Sequence, residues 1–328
     1  MIDRFRRLGR TLARAVLFSA IMVVAARAEP VALRIGVGPA AEEQVWLMKA
    51  RPDLTPNQGK AYAYDMSMFR SGGDRTAALQ AGQLDAITTS SSGALYAASK
   101  GLPLVVVASM AKESTRTFST AYYAKKDSDV SLDNLKGKTI GINGYRASIE
   151  FYARLAVQKA GLDPTRDVTW LVVPLPQMGE AVRRGQVDLG AFPTTFAFQA
   201  EQSGQFKKVF DSAGISGIEE EFDVAFTPTY LKQHGDAVRA FLADFAAVTK
   251  YFVDHPVEAR QSLLESKIVQ ADPAVYLKMT AKNDLERSPD CKPDPAMFRQ
   301  LQAELMKMGF QDGAVDIDRF VDTSFLPR

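Results

Sequence analysis

The sequence has 328 residues, of which 46% are hydrophobic and 24% charged, enough for about two domains with buried cores. It contains no low-complexity tract and no long run of like charge, which excludes an extensively disordered chain. The net charge is +2, but residues 1–28 hold six arginines and one aspartate, and subtracting their +5 leaves −3 for the remainder. A basic nucleic-acid-binding surface is therefore not expected.

The first 28 residues have the three-part layout of a secretory signal peptide. An arginine-rich stretch precedes the apolar run AVLFSAIMVVAA, and Ala26-Arg27-Ala28 forms a small-residue cleavage site. The alternative is a membrane anchor, but this run of about 12 residues is shorter than the roughly 20 needed to cross a bilayer. We therefore predict export to the periplasm with cleavage near Ala28, and no cysteine follows that site to carry a lipid.

From residue 29 onward, strand and helix patterns alternate. The predicted strands are VALRIGVG, AYAYDMSMF, LDAITT and LPLVVVASM, and the predicted helices between them are AAEEQVWLMKA, DRTAALQAG and SSSGALYAASKG. The SGGD turn ends by capping the second of these helices. Strands that alternate with helices predict a parallel sheet covered on both faces.

The same order begins again after SLDNLKGK, which is typical of a surface turn. The predicted strands are now TIGINGY, VTWLVVPL, QVDLGAF and FKKVFDS, with the helices ASIEFYARLAVQKAGL, QMGEAVRRG and TTFAFQAEQSG between them. A further strand, in FDVAFTPTYLKQHG, returns the chain. The rest is predicted to be mostly helical, through DAVRAFLADFAAVTKYFVDH, PAVYLKMTAKND and PAMFRQLQAELMKMG. The sequence therefore predicts two α/β lobes of similar plan.

One corner is present in both halves, as GQLDAITTSSSG (82–93) and GQVDLGAFPTTF (185–196). Each marks the third strand of its lobe, and ligands of open parallel sheets bind beyond the carboxyl ends of strands. The Ser, Thr and helix N-termini at those edges offer donors to an anion. We expect Asp85 and Asp188 to brace the corners. The alternative for the hydroxyl runs is plain helix capping.

The chain has one cysteine and two histidines. Cys291 can form no internal disulfide, and together with His234 and His255 it supplies too few ligands for a His/Cys metal site. We interpret Cys291 as an exposed loop residue without a role, with a reactive thiol as the alternative, and both histidines as helix-boundary residues. No catalytic residue, metal or cofactor is predicted.

Four segments carry a resemblance to a known family: RTAALQAGQLDAITTSSSGALYAASKGLPLVVVAS (75–109), LDNLKGKTIGINGYRASIEFYARLAVQKAGLD (132–163), PQMGEAVRRGQVDLGAF (176–192) and TPTYLKQHGDAVRAFLADFAAV (227–248). Through them the chain resembles the periplasmic substrate-binding proteins of ABC importers, of the alkanesulfonate, taurine and nitrate type. Each motif is degenerate alone, but their order and spacing together are fairly specific.

The resemblance implies an α/β fold of two lobes, type II-like, that trap a ligand by hinge closure. The crossovers would lie near Ser114–Thr120 and Phe222–Thr227. The first lobe would combine residues 29–117 with 226–328, and the second would be 118–225. A monomer would capture a small anion and deliver it to a membrane permease, without catalysis, cofactor or nucleic acid.

The resemblance also places ligand contacts in the loops at the strand ends. An acidic residue that related proteins often carry is missing from Ala191-Phe192-Pro193, which favours an anionic ligand. By position, the expected contact residues are Gly38, Pro39, Ala40, Ala41, Ser90, Ser91, Ser92, Tyr145, Arg146, Ala147, Ser148, Pro193, Thr194 and Thr195.

Arg116 and Arg146 are the electrostatic candidates, because a guanidinium can donate two parallel hydrogen bonds to a carboxylate or sulfonate. The alternative is that each is a solvated surface residue. Aromatic walls are expected from Tyr122, Tyr145, Phe192 and Phe196, with plain core packing as the alternative. The combination favours an organic sulfonate or carboxylate, aromatic ones included.

Two other functions fit the same lobe plan. One is a binding protein that serves a sensor kinase or another transporter class. The other is an enzyme of the pyrimidine-synthase or porphobilinogen-deaminase type. The synthase uses a histidine and a cysteine-rich iron site, and the deaminase uses a cofactor-bearing cysteine; Cys291, His234 and His255 cannot supply either set.

Overall fold

A computed structural model describes residues 29–217 and 220–328 of the chain. The predicted signal peptide, residues 1–28, lies outside them. The described strands are β1 (Val31–Val37), β2 (Tyr62–Met68), β3 (Ala86–Ser90), β4 (Val105–Lys112), β5 (Ala121–Lys125), β6 (Thr139–Ile142), β7 (Thr169–Val172), β8 (Leu189–Phe192), β9 (Phe206–Asp211) and β10 (Glu220–Phe226).

Helices flank these strands, and short 3-10 turns occur between them, as at Leu132–Asn134 and Ala281–Asn283. The helices are α1 (Glu43–Ala50), α2 (Gly72–Gln80), α3 (Ser91–Ser99), α4 (Ser148–Lys159), α5 (Leu175–Arg183), α6 (Thr194–Ser203), α7 (Ser212–Ser216), α8 (Pro228–Gln233), α9 (Gly235–Asp254), α10 (Pro256–Glu265), α11 (Pro273–Tyr276), α12 (Pro295–Lys307) and α13 (Ile317–Phe320).

The strands form two five-stranded sheets with matching plans. Their orders are β2-β1-β3-β10-β4 and β7-β6-β8-β5-β9. In the first sheet only β10 runs against its neighbours β3 and β4, and in the second only β5 runs against β8 and β9. The other adjacent pairs are parallel. The predicted fold, two mainly parallel α/β units, is confirmed. We call the elements around the first sheet, together with α8 to α13, the first lobe, and those around the second sheet the second lobe.

The described strands indicate two crossings between the lobes. One joins β4 to β5, and residues 114–120 lie between these strands. The residues expected to form the second crossing, Phe222–Thr227, instead lie within and just after β10, which pairs with β3 and β4 of the first sheet. The division into 29–117 with 226–328 and 118–225 stays a prediction, and these pairings favour counting residues 220–225 with the first lobe.

Two further features differ from the sequence-based expectation. β5 was not among the predicted strands, although all but its last residue are buried. The predicted helix PAVYLKMTAKND is reduced to α11 and a 3-10 turn, because the chain bends to pair Asp284 with the buried Arg260, at 2.7 Å, while Arg260 also donates to the Met279 carbonyl. Buried charges must be paired, and that requirement outweighs the local helical pattern.

Cys291 is buried, which overturns the expectation of an exposed loop residue. Burial raises the pKa of its thiol to about 12, so the thiolate that a reactive cysteine needs is scarce at neutral pH. His234 and His255 do lie at helix boundaries, as predicted: His234 between α8 and α9, and His255 between α9 and α10. Within the described residues, no helix combines the length and apolar character that a bilayer-spanning segment needs.

Candidate functional site

The two repeated corners have the same backbone geometry. Gly82 and Gly185 adopt φ values of 71° and 70°, in the left-handed region that favours glycine. The Asp85 carboxylate accepts the backbone N–H of Arg34 in β1 at 2.9 Å, and the Asp188 carboxylate accepts that of Thr139 in β6 at 2.8 Å. Each aspartate therefore ties its corner to the first strand of its own sheet, and the bracing role predicted for both is confirmed.

Between the lobes lies a small hollow, which we call the central cleft. It is lined by the loops that follow β1, β2 and β3 in the first lobe and β6, β7 and β8 in the second. Its volume is about 40 Å³, room for about three water molecules. Residues from both lobes face it, among them Ala40, Ser71, Ser90, Asn143, Ser148 and Pro193.

Helix N-termini converge on the central cleft. Ser71 caps α2 and Ser90 caps α3, each accepting a hydrogen bond from a backbone N–H of its own helix. From the second lobe, α4 begins at Ser148. The Ser148 N–H donates to the Ser90 hydroxyl at 3.4 Å, which links the lobes directly. The first N–H groups of a helix have no partner within it and favour negative charge.

A buried ion pair, which sequence reasoning missed, lies under the first-lobe side of the cleft. Arg75 donates to the Glu42 carboxylate and to the Thr88 hydroxyl, both at 2.5 Å, and Thr88 in turn donates to Glu42. Glu42 also accepts the Gly38 N–H at 2.8 Å. The Arg75 Nε has no hydrogen-bond partner, and Arg75 lines the cleft. The available signal was a pair of acids, Glu42 and Glu43, at the start of a helix after a strand.

Two larger hollows adjoin the central cleft. The first, which we call the helix groove, has a volume of about 430 Å³ and runs between α2 and α3, with Lys100 and Arg146 on its walls. The second, which we call the side pocket, has a volume of about 270 Å³ and shares Pro39, Ala40 and Ala41 with the cleft.

Most of the predicted contact residues line one of these three hollows. The central cleft is lined by Pro39, Ala40, Ala41, Ser90, Ala147, Ser148 and Pro193; the helix groove by Ser90, Tyr145, Arg146 and Ala147; and the side pocket by Pro39, Ala40, Ala41, Thr194, Thr195 and Phe196. The structure thus brings Ser90 and Ser148 together in one hollow with Pro193.

Other candidates lie elsewhere or are used structurally. The Ser91 hydroxyl donates to the buried Asp223 at 2.6 Å, and Ser92 is buried behind Ser90. Phe192 packs in the core of the second lobe against Tyr123 and Phe206. The Gly38 N–H donates to the Glu42 carboxylate. Tyr122 is also a core residue: its hydroxyl donates to the Ile149 carbonyl, and its ring stacks on that of Phe210.

The two candidate arginines have other partners. Arg116 is 62% exposed and forms an ion pair with Glu286 at 2.8 Å. The Arg146 guanidinium lies 5.1 Å from the ring centroids of both Tyr96 and Phe310 in the first lobe and donates to the Phe310 carbonyl at 3.3 Å. Arg146 thus bridges the lobes beside the helix groove, outside the residues that line the central cleft.

Of the five non-glycine residues described with positive φ, three lie beside the hollows: Ala41, Arg146 and Thr194, with φ values of 63°, 60° and 26°. Ala41 and Arg146 lie in loops that follow β1 and β6, and Thr194 is the first residue of α6. Non-glycine residues held in this region cost roughly 1–3 kcal/mol. Such positions are typical of ligand-binding loops that the surrounding structure holds in place.

Residues 67–259 match the NMT1/THI5-like family, which is more than half of the chain. The chain belongs to the NMT1/THI5-like family. No curated protein sequence matches this NMT1/THI5-like protein. Its fold matches the alkanesulfonate-binding protein SsuA from Xanthomonas axonopodis pv. citri bound to MOPS, with a TM-score of 0.74 and 19% identity over 90% of this chain and 99% of that one.

Two further solved structures have the same fold as the NMT1/THI5-like protein. The periplasmic aliphatic sulphonate-binding protein SsuA from Escherichia coli gives a TM-score of 0.69 and 19% identity, covering 89% of this chain and 92% of that one. The periplasmic nitrate-binding protein NrtA from Synechocystis PCC 6803 gives 0.73 and 12%, covering 90% and 87%. The predicted resemblance to sulfonate- and nitrate-binding proteins is confirmed, and at these identities it establishes the fold.

Proposed function

We propose that the protein is the solute-binding component of an ABC import system and captures a small organic anion whose sulfonate or carboxylate group lies in the central cleft. The observation that carries the proposal is the convergence of helix N-termini from both lobes on one hollow, through Ser71, Ser90 and Ser148. Helix N-termini are ready-made anion sites because unpaired N–H groups and the helix dipole point the same way.

The charges near the cleft support an anion. Arg70 is an exposed cation that lines the cleft, and Arg75 lines it from below. Glu42 offsets the charge of Arg75, so the arginine contributes mainly its free Nε donor. The net excess is one positive charge, from Arg70. A single charged hydrogen bond together with several N–H donors is sufficient for micromolar capture, which corresponds to about 8 kcal/mol.

The lobes are in contact at several places around the cleft. Besides the bond between Ser148 and Ser90, the backbone at Gly144 lies so close to Ser71 that a Cβ there would be 3.3 Å from the serine Cβ. We propose that this is the closed arrangement, and that opening takes place at the two crossings between the lobes. Closure would then exclude water from the anion and strengthen its hydrogen bonds.

The partner and the location belong to the same proposal. Sulfonate- and nitrate-binding proteins with this fold are periplasmic, and a secretory leader would bring the present chain to the same compartment, where a monomer delivers its anion to a membrane permease without catalysing a reaction. A sensory role predicts the same binding but a different partner. Loss of anion uptake on deletion of the gene supports import, whereas unchanged uptake with a lost transcriptional response supports sensing.

Binding is tested by calorimetry on the purified protein with methanesulfonate, benzenesulfonate, benzoate and nitrate at fixed ionic strength. At least one organic anion should bind with micromolar affinity and raise the melting temperature by mass action. Arg70→Gln should weaken that binding about tenfold, the loss of roughly one charge-assisted hydrogen bond. Arg166→Gln is the matched control, because Arg166 is exposed, pairs with Asp163 and lies outside the cleft lining. If no anion binds, or both variants behave alike, the proposal is wrong.

A further inference from the structure

The central cleft is too small for a whole organic solute. Its volume of about 40 Å³ accommodates a few heavy atoms, such as a sulfonate or carboxylate group, whereas pockets for organic ligands usually enclose several hundred Å³. The remainder of any larger anion held there must extend into the helix groove or the side pocket, which both adjoin the cleft.

The walls of the side pocket come from both lobes. Ala40 and Trp46 belong to the first lobe and Thr194 and Phe196 to the second, and Tyr276 closes the pocket from the C-terminal part of the chain. The helix groove is walled almost entirely by α2 and α3 of the first lobe, with only Tyr145–Ala147 from the second. A ligand in the side pocket would therefore contact both lobes and stabilise their closed arrangement, whereas one in the groove would do so much less.

Two of the residues that line the side pocket carry a buried hydroxyl group without a hydrogen-bond partner. Thr194 is 1% exposed and Tyr276 is fully buried, and neither the Thr194 Oγ1 nor the Tyr276 hydroxyl has a partner. Burial raises the pKa of Tyr276 well above its usual range, so its hydroxyl remains a donor. An unmade hydrogen bond on a buried polar group is costly, and a ligand group that met these hydroxyls would remove that cost.

Charge restricts what can enter. Glu43 is the charged residue on the pocket wall, and it is held by the buried Arg287 at 2.5 Å. Arg287 offsets the charge of Glu43, so the pocket wall offers no unpaired cation to hold a second anionic group on the ligand. The remaining walls are chiefly apolar or aromatic, through Trp46, Met68 and Phe196, surfaces that stabilise a flat apolar ring by burial and by ring contacts.

We propose that the side pocket binds an uncharged aromatic ring that carries a hydrogen-bonding substituent, the tail of an anion whose acidic group lies in the central cleft. This rests on the proposed function and narrows it, because it makes the solute an aryl anion with a polar ring substituent rather than an inorganic ion or a short alkyl anion. Ring contacts would come from Phe196, and hydrogen bonds from Thr194 and Tyr276.

Three ligands test the proposal by calorimetry: methanesulfonate, benzenesulfonate and 4-hydroxybenzenesulfonate. We expect the hydroxylated ring to bind most tightly and methanesulfonate most weakly, with about tenfold or more between these two, as burial of a ring predicts. Phe196→Ala should abolish most of that difference and change methanesulfonate binding less than twofold. Thr194→Val keeps the branched shape and should remove only the advantage of the ring hydroxyl.

Lys100→Ala is the control for the helix groove, because Lys100 is exposed, pairs with Asp312 and lines that groove. Melting temperatures of the ligand-free variants verify that each is folded. If no anion binds, the proposed function fails and the tail site with it. If anions bind without preference for the ring, or if Lys100→Ala rather than Phe196→Ala removes that preference, only the side-pocket assignment is overturned. An equal loss for all three ligands in Phe196→Ala also contradicts it.

Discussion

The two corners, residues 82–93 and 185–196, are alike where they support their sheets and unlike where they face the other lobe. In both, a glycine with positive φ turns the chain and an aspartate holds the first strand of its sheet. Beyond the strand they diverge. Ser90 caps α3 with its hydroxyl, whereas Pro193 caps α6 with no side-chain hydrogen bond and Thr194 follows at a φ of 26°.

This difference distinguishes the features that the fold requires from those that the candidate site requires. The bracing is shared by two sheets that have the same strand order, so we assign it to the architecture. The edges differ because each lobe contributes different chemistry to the space between them: a paired hydroxyl from the first lobe, and an unpaired one on a strained backbone from the second. Four measurements test this comparison of the two corners.

The largest effect is expected at the first corner, which has a buried ion pair next to it. Arg75→Leu leaves the Glu42 carboxylate buried without its cation, and breaking such a pair costs about 3–5 kcal/mol. Urea unfolding measures the loss. The double variant Arg75→Leu/Glu42→Leu should recover a large part of it, because no uncompensated charge remains. A loss under 1 kcal/mol in the single variant would show that the pair is not buried as described.

Glu113, beside the first crossing, should make the free energy of unfolding depend on pH, and this effect has to be separated from the contributions of the corners. Burial raises the pKa of Glu113 to about 7, from an ordinary 4.5, and Glu113 accepts the Thr120 N–H across the first crossing at 2.6 Å. The folded protein therefore keeps a proton that the unfolded chain loses, and the free energy of unfolding should fall between about pH 4.5 and 7, by up to about 3 kcal/mol.

Glu113→Gln removes that titration, so the slope of stability against pH in this window should become shallower than in the unaltered protein. The control is Glu265→Gln, which changes an exposed carboxyl at the end of α10 whose partner is Gln261. Identical pH profiles for Glu113→Gln and the unaltered protein would contradict the assignment.

The bracing aspartates should matter in both lobes, but not equally. Asp85→Ala should lower the free energy of unfolding by about 2 kcal/mol, because a backbone N–H and the side chain of Arg34 lose their acceptor. Asp188→Ala should cost about 1 kcal/mol, since its carboxylate takes the Thr139 N–H. Urea unfolding of both variants checks the order. Equal or reversed losses would show that the Arg34 side chain adds nothing to the bracing by Asp85.

The smallest effect concerns one hydroxyl group from each corner, that of Ser90 at the central cleft and that of Thr194 at the side pocket. Ser90→Ala removes a helix cap and should cost about 1 kcal/mol, while Thr194→Ala removes a hydroxyl without a partner and should cost less than about 0.5 kcal/mol beyond the loss of its methyl group. Thermal unfolding without ligand compares the two. A larger loss in Thr194→Ala would indicate that this hydroxyl is already bonded in the free protein.

The sequence predicted those parts of the fold that depend on local residue patterns. Hydrophobic periodicity located β1, β3 and α4, and the repeated corner showed that one plan is used twice. β5 and the start of β10 were misjudged because their position depends on pairing between strands far apart in the chain. Strand pairing is decided by the sheet, and no local pattern states which sheet a strand joins.

The candidate site was predictable to the same extent. Loops at strand ends were expected to face each other, and Ser90 and Ser148 do so. The pair of Glu42 and Arg75 was not predicted, because 33 positions separate the two residues and only folding brings their charges together. Arg116 and Arg146 were chosen for their charge and for their positions beside the first crossing and at a helix start. In the structure, Arg116 pairs with Glu286, and Arg146 lies against Tyr96 and Phe310.

The Ser90 hydroxyl accepts two N–H groups, one from Gly93 of its own helix at 3.2 Å and one from Ser148 across the gap at 3.4 Å. If the lobes separate, Ser90 still caps its own helix through the Gly93 N–H. Only the Ser148 N–H loses its acceptor, and water can replace it. Separating the lobes at this contact therefore leaves no buried hydrogen-bond donor or acceptor of the contact unpaired. Separation at this point therefore costs little free energy, as the proposed capture and release of an anion would require.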